Sequence, residues 1–136
     1  MRGTTRDRGK ADAIEAAGIE AAVADPDRVI TILDQIADVA IVCWLLGSAR
    51  GEPEELAALH GSRLERLLEE IVDTPVRGVV CESAGSVPAE ALEAGERSLR
   101  AAEERWRIPY ALIGTDPGGS EAWLEEAEAA VTKLVE

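Results

Sequence analysis

The sequence predicts an α/β fold: a Rossmann-like, mostly parallel sheet of five strands with helices on both faces. Three observations carry this expectation. Short apolar runs alternate with longer stretches of helical periodicity along the whole chain. Two of the runs, Val39–Trp44 (VAIVCW) and Gly78–Glu82 (GVVCE), are continuous and rich in β-branched residues, the pattern of strands covered on both faces. The links are short, and short links between alternating strands and helices favour right-handed crossovers and parallel neighbours.

In chain order, Arg2–Thr5 (RGTT) is short and extended in character. Helix signals follow over about Lys10–Ala17, with Gly18 as the stop. Glu20–Ala24 reads as the second strand. Asp25-Pro26 then opens a helix, Asp25 as cap and Pro26 at the first helical position, with Val29, Ile32, Leu33 and Ile36 on one apolar face. After the strand Val39–Trp44, a long helix follows Pro53 and buries Leu56, Leu59, Leu64, Leu67, Leu68 and Ile71. Gly78–Glu82 is the fourth strand, ended by the small-residue loop Ser83-Ala84-Gly85-Ser86. Pro88 starts a helix whose packed face runs through Leu92, Gly95, Leu99, Ala102 and Trp106. Tyr110–Gly114 is the last strand and Thr115–Gly119 a turn. A final amphipathic helix led by Gly119 or Ser120 carries Trp123, Ala127, Val131 and Leu134.

At 136 residues, with 46% hydrophobic and 30% charged residues, the chain suits a single domain, 1–136, with a real core. Phe is absent, so aliphatic residues must fill that core. The net charge of −13 and the lack of any basic stripe argue against nucleic acid and against an anionic membrane surface as partners. No signal-peptide core and no run of 18 apolar residues occurs, which leads to an expectation of a cytoplasmic protein. Cys43 and Cys81 sit in apolar runs and read as buried free thiols, a disulfide or metal pair being the alternative. Two Cys and one His cannot make a four-ligand Cys/His zinc site, and no metal site is expected.

Two layouts suit five such strands. A flavodoxin-like sheet, order 2-1-3-4-5, places the first strand inside and asks it to be strongly apolar. RGTT is not. The dinucleotide-binding order 3-2-1-4-5-6 fits the hydrophobic gradient better if the chain begins at that fold's second strand. RGTT and EAAVA then form the outer strands of one side, and VAIVC and GVVC lie near the centre. This layout leaves a strand missing between RGTT and VAIVC, with two unpaired edges inside the molecule.

RGTTRD after the first strand, VADPD after the second, VCWLLGSA, VVCESAG and AAEERWRIPYALIGTDP together resemble an atypical short-chain dehydrogenase/reductase, of the NAD-dependent epimerase/dehydratase-like or NmrA-like group. The resemblance covers roughly residues 1–118 and rests on the order and spacing of the motifs. It implies a first strand, GxxGxxG loop and helix that hold the cofactor pyrophosphate. No GxxGxxG occurs here, so about 30 residues, the size of such a unit, are missing. A start upstream of Met1 and a natural truncation are the two explanations. NAD or NADP is expected as cofactor with that unit restored, and no cofactor otherwise.

The resemblance also places the site residues. Arg6 stands where a basic residue pairs with the 2′-phosphate of NADP, a surface arginine being the plain alternative. Asp25 stands where an acid lies near the adenine amino group, though helix capping explains it alone. Leu45, Leu46 and Gly47, with Ser48, end the third strand, where the backbone lines the ribose and nicotinamide side. Ser83, with Ser86 nearby, follows the fourth strand at the place of the catalytic Ser or Thr. The partner Tyr-x-x-x-Lys is absent: Tyr110 is the only Tyr, and Glu96 and Arg100 near the expected place read as an i,i+4 ion pair. Glu82 is a lone acid beside the Ser83 loop, and His60, the only histidine, reads as a packed or solvated side chain.

Three functions compete on these grounds. The first is an NAD(P)-binding domain of the atypical dehydrogenase/reductase type, truncated and weak or inactive in cofactor binding as it stands. The second is a non-catalytic interaction protein, its sheet completed by a second copy or another chain. The third is a flavodoxin-like module for a small ligand.

Overall fold

The computed structural model describes all 136 residues, Met1–Glu136. The order is β1 (Arg2–Thr5), α1 (Ala11–Ala16), β2 (Glu20–Val23), α2 (Val29–Leu33), β3 (Ile41–Trp44), α3 (Pro53–His60), α4 (Ser62–Glu70), β4 (Gly78–Glu82), α5 (Ala89–Trp106), β5 (Tyr110–Ile113) and α6 (Ser120–Val135). All strand pairs are parallel. The α/β class, the five strands and the helices on both faces are as the sequence predicts.

The sheet is interrupted. β1 pairs with β2 alone, and β3-β4-β5 form a separate three-stranded sheet. No pairing joins β1 to β3, which is where the dinucleotide-binding layout leaves its gap; a flavodoxin-like order would have joined them. The halves are tied instead by side chains. Arg2 Nη1 donates to the Gln35 carbonyl at 2.6 Å and meets Asp38 at 3.3 Å, bringing the start of β1 beside the run into β3.

The main core lies on one face of β3–β5. Val42, Trp44, Val79 and Cys81 point into it and meet Leu64, Leu67, Leu68, Ile71, Leu99 and Ala102 from α4, its trailing turn and α5, with Val29, Ile32 and Ile36 from the α2 region. The Leu64/Leu67/Leu68/Ile71 spacing puts four side chains on one stripe, and each is at most 1% exposed. The opposite face, with Val80, Ala111 and Ile113, packs against Ala130 and Leu134 of α6. No helix is long and apolar enough to cross a membrane.

Several local expectations are corrected. The helix at Asp25-Pro26 begins only at Val29, because Asp25 Oδ1 accepts from the Asp27 N–H at 2.9 Å and makes a turn of its own. Asp25 therefore caps that turn and not the helix, whose cap Arg28 makes no side-chain bond. The long helix is broken at Gly61, whose φ −110 and ψ −105 are not helical. The third strand starts at Ile41, two residues late. Cys43 is not buried: β alternation turns it to the face opposite Val42 and Trp44, and it is exposed while Cys81 is buried.

Candidate functional site

The carboxyl ends of three parallel strands border an open cleft of about 390 Å³, lined by Leu45, Ser48, Ala49, Glu82, Pro117 and Trp123. Leu45 follows β3, Glu82 ends β4, Pro117 follows β5, and Trp123 sits on the first turn of α6. Open parallel sheets receive ligands on this side of the strands.

Glu82 is the centre of the cleft. β4 is buried along its whole length, so its last residue is buried too, at 5% exposure. One carboxylate oxygen accepts from the Gly47 N–H at 3.2 Å and the other from the Trp123 indole N–H at 2.9 Å. Those two bonds link the loop after β3, the end of β4 and α6. The negative charge also reaches Cys81, whose thiol is pushed up to about 12, first by burial and then by Glu82.

The loops around Glu82 are held by close contact. A Cβ on Gly47 would stand 2.9 Å from Glu82 Cβ and would meet the Ala84 carbonyl oxygen. Gly85, at φ +146, faces the Gly47 carbonyl just as tightly. His60, fully buried, places Nε2 2.9 Å from the Leu46 carbonyl, which assigns the proton to Nε2. The Trp44 indole donates to the Leu59 carbonyl at 3.3 Å. On the far wall, Glu126 accepts from the Thr115 hydroxyl and from the Gly114 and Thr115 N–H groups at 2.8 and 3.0 Å. These bonds hold its carboxyl below the usual range and fix the Pro117 turn to α6.

The residues singled out from sequence divide into two groups. Leu45 lines the cleft, Leu46 gives its carbonyl to His60, and Gly47 donates to Glu82. Ser83 is next to the cleft but not in its lining; its hydroxyl donates to the Ile113 carbonyl at 3.4 Å. Ser86 donates its N–H to Ser48 Oγ. Arg6 and Asp25 lie past β1 and β2, on the other half of the sheet. Arg6 is largely exposed and reaches Asp27 at 4.0 Å. Glu96 and Arg100 form the i,i+4 pair at 3.3 Å. No grouping of three or more His, Cys, Asp or Glu is placed to hold a metal ion.

Sequence reading missed Trp123, which looked like one more residue on an apolar stripe, and gave Glu82 little weight. The signal was there in part. An acid that ends a strand buried on both faces must find donors in the interior.

No family model matches the chain, and no curated protein is similar to it in sequence. Among solved structures, the triphenylmethane reductase of Citrobacter sp., complexed with NADP(H), is similar with a TM-score of 0.62 at 17% sequence identity. The match covers 82% of this chain and 38% of that one, and a second structure of the same reductase gives the same values. The likeness is one of fold. This chain thus spans 38% of the length of the reductase it matches.

Proposed function

We propose that this chain is the larger part of a nicotinamide-dinucleotide-binding domain, of the atypical short-chain dehydrogenase/reductase type with an epimerase/dehydratase-like or NmrA-like character. A further strand, glycine-rich loop and helix would occupy the interruption between β1 and β3. The observation that carries this reading is the interruption itself: β1 pairs only with β2 and β3 only with β4. The likeness to an NADP(H)-complexed reductase supports the same cofactor class. Arg6, exposed just past β1, suits the 2′-phosphate of NADP. Asp25, Leu45, Leu46, Gly47 and Ser83 stand at the strand ends that would face the cofactor. On this reading the 136 residues alone bind NAD(P) weakly or not at all, since the backbone donors for the pyrophosphate belong to the missing unit.

Two measurements test it. The intact mass of the protein from its native source is expected to exceed 14.5 kDa by about 3 kDa, the size of one strand–helix unit. Titration with NADPH and NADH is expected to show saturable binding with that unit present and weak or no binding without it. A protein with the unit present and no affinity for either nucleotide overturns the proposal.

A second reading is favoured by the same open edges. Another chain, or a second copy, would complete the sheet by strand addition, as exposed edges do elsewhere. A native mass of 14.5 kDa, together with a sedimentation coefficient above that of a monomer, would support it. A stable monomer at micromolar concentration would exclude it.

A further inference from the structure

Glu82 is almost wholly buried, yet only neutral groups donate to it: the Gly47 N–H and the Trp123 indole. None of the five salt bridges in the molecule includes it. A carboxylate offers about four acceptor positions, two donors occupy two of them, and Glu82 lines the cleft. A charge held in a poorly hydrated place without a counter-ion favours a cationic donor, because charge-assisted bonds are the strong ones.

The rest of the lining selects the shape of that donor. Leu45, Ala49, Pro117 and the Trp123 ring offer apolar walls, and no basic side chain lines the cleft. The one other polar side chain, Ser48, accepts from the Ser86 N–H through Oγ and keeps its own O–H to donate. At about 390 Å³ the space is near the lower end of ligand clefts, roughly 300–1,000 Å³. A divalent metal is a poor candidate, since it asks for several oxygen ligands and only one carboxylate is present. The net charge of −13 adds a general attraction for cations. The walls are also fixed before any ligand arrives: Trp123 is pinned by its bond to Glu82, and the Pro117 turn by Glu126.

We infer that this cleft binds a small protonated amine with a flat apolar body, its ammonium on Glu82 and its ring between Trp123 and the Leu45/Ala49/Pro117 walls. The inference goes beyond the nucleotide reading; Leu45 and Ser48 line the cleft and also stand at the strand end that reading gives to the cofactor, so the amine is tested on the chain free of nucleotide.

The test uses the isotope-labelled chain without nucleotide. Benzylamine and benzyl alcohol, alike in shape and different in charge, are titrated while the indole N–H signals are followed by NMR. Benzylamine is expected to shift the Trp123 signal saturably and to leave that of Trp106, on α5, unmoved. Its dissociation constant should be about tenfold lower than that of the alcohol, a modest share of what a charge-assisted bond supplies. Glu82→Gln should erase the preference. Ala49→Phe, which adds a ring to the cleft wall and keeps the carboxylate, should abolish binding of both. Equal affinity for amine and alcohol, no shift with either, or a preference that persists in Glu82→Gln overturns the inference. Should Glu82→Gln fail to fold, the amine–alcohol comparison in the unaltered chain and Ala49→Phe decide it. A negative result here leaves the NADPH titration untouched, so the two readings fail separately.

Discussion

Replacing Gly47 with Ala tests whether the approach of the β3 and β4 loops organises the cleft. The new methyl carbon would lie 2.9 Å from Glu82 Cβ and against the Ala84 carbonyl. Neither neighbour is the free end of a flexible side chain. Glu82 is paired with Ile113 of β5 and follows Cys81, which is paired with Trp44 of β3, so it cannot give way without disturbing the end of the sheet. Overpacking of this kind costs about 1–3 kcal/mol. If the Gly47 loop moves instead, its N–H leaves the Glu82 carboxylate, and a bond to a charged group is worth about 1.5–3 kcal/mol. Either route gives an expected loss of about 2–3 kcal/mol, a large fraction of a typical total of about 5–15 kcal/mol. Gly18→Ala is the control. Gly18 has φ +82 but nothing within 4 Å of an added Cβ, so only the left-handed backbone penalty of about 1–2 kcal/mol applies. Urea unfolding followed by far-ultraviolet circular dichroism measures both. A Gly47→Ala loss below about 1 kcal/mol, or one smaller than that of Gly18→Ala, refutes the reasoning.

Trp123→Phe keeps the ring but removes the donor to one Glu82 oxygen; a loss of about 1 kcal/mol is expected in the same assay, at the low end because water in the cleft can replace the indole. Glu126 has its pKa lowered, mainly by the Thr115 hydroxyl and then the Gly114 N–H. Its contribution is therefore present above the unfolded value near 4.5 and lost as pH falls through the lower folded value. The stability difference between the wild type and Glu126→Gln should shrink across that acidic range, and a difference that is flat with pH would contradict the assignment. Cys43 is exposed and Cys81 is buried with its thiol pushed up to about 12. A disulfide reagent near pH 8 should therefore modify one thiol in the native chain and both after unfolding. Filling the gap beside β3 should slow the reaction of Cys43, and an unchanged rate would count against a strand–helix unit or partner seated there. Leu67→Ala, at a position with no exposure, should cost about 2–5 kcal/mol.

Period and composition were enough to determine the α/β class, the parallel alternation and the central place of GVVC, whereas VAIVC, expected near the centre, lies at the edge of the three-stranded sheet. Apolar burial is written residue by residue: β4 is covered along its whole length as its continuous apolar run predicts, whereas β3, with the same kind of run, leaves Cys43 exposed. The gap between β1 and β3 was legible for the same reason, since RGTT is too polar for an interior strand. Turn chemistry was less legible. Asp25-Pro26 carries a helix-start signal, but a local Asx bond to Asp27 takes the side chain first. The break at Gly61 was hidden because the leucine stripe continues in phase across it. Cys43 looked buried because its neighbours are apolar, whereas exposure depends on whether any element covers that face of β3. The cleft was only half legible: Leu45, Ser48 and Glu82 were singled out at strand ends, but not that they meet Trp123. Glu82 and Trp123 are 41 residues apart, and Gly47 and Glu82 are 35 apart. Their meeting depends on the parallel register that brings the ends of β3, β4 and the start of α6 to one side of the sheet. Local propensity records how each segment folds; only the packing of the strands decides which side chains share a buried charge.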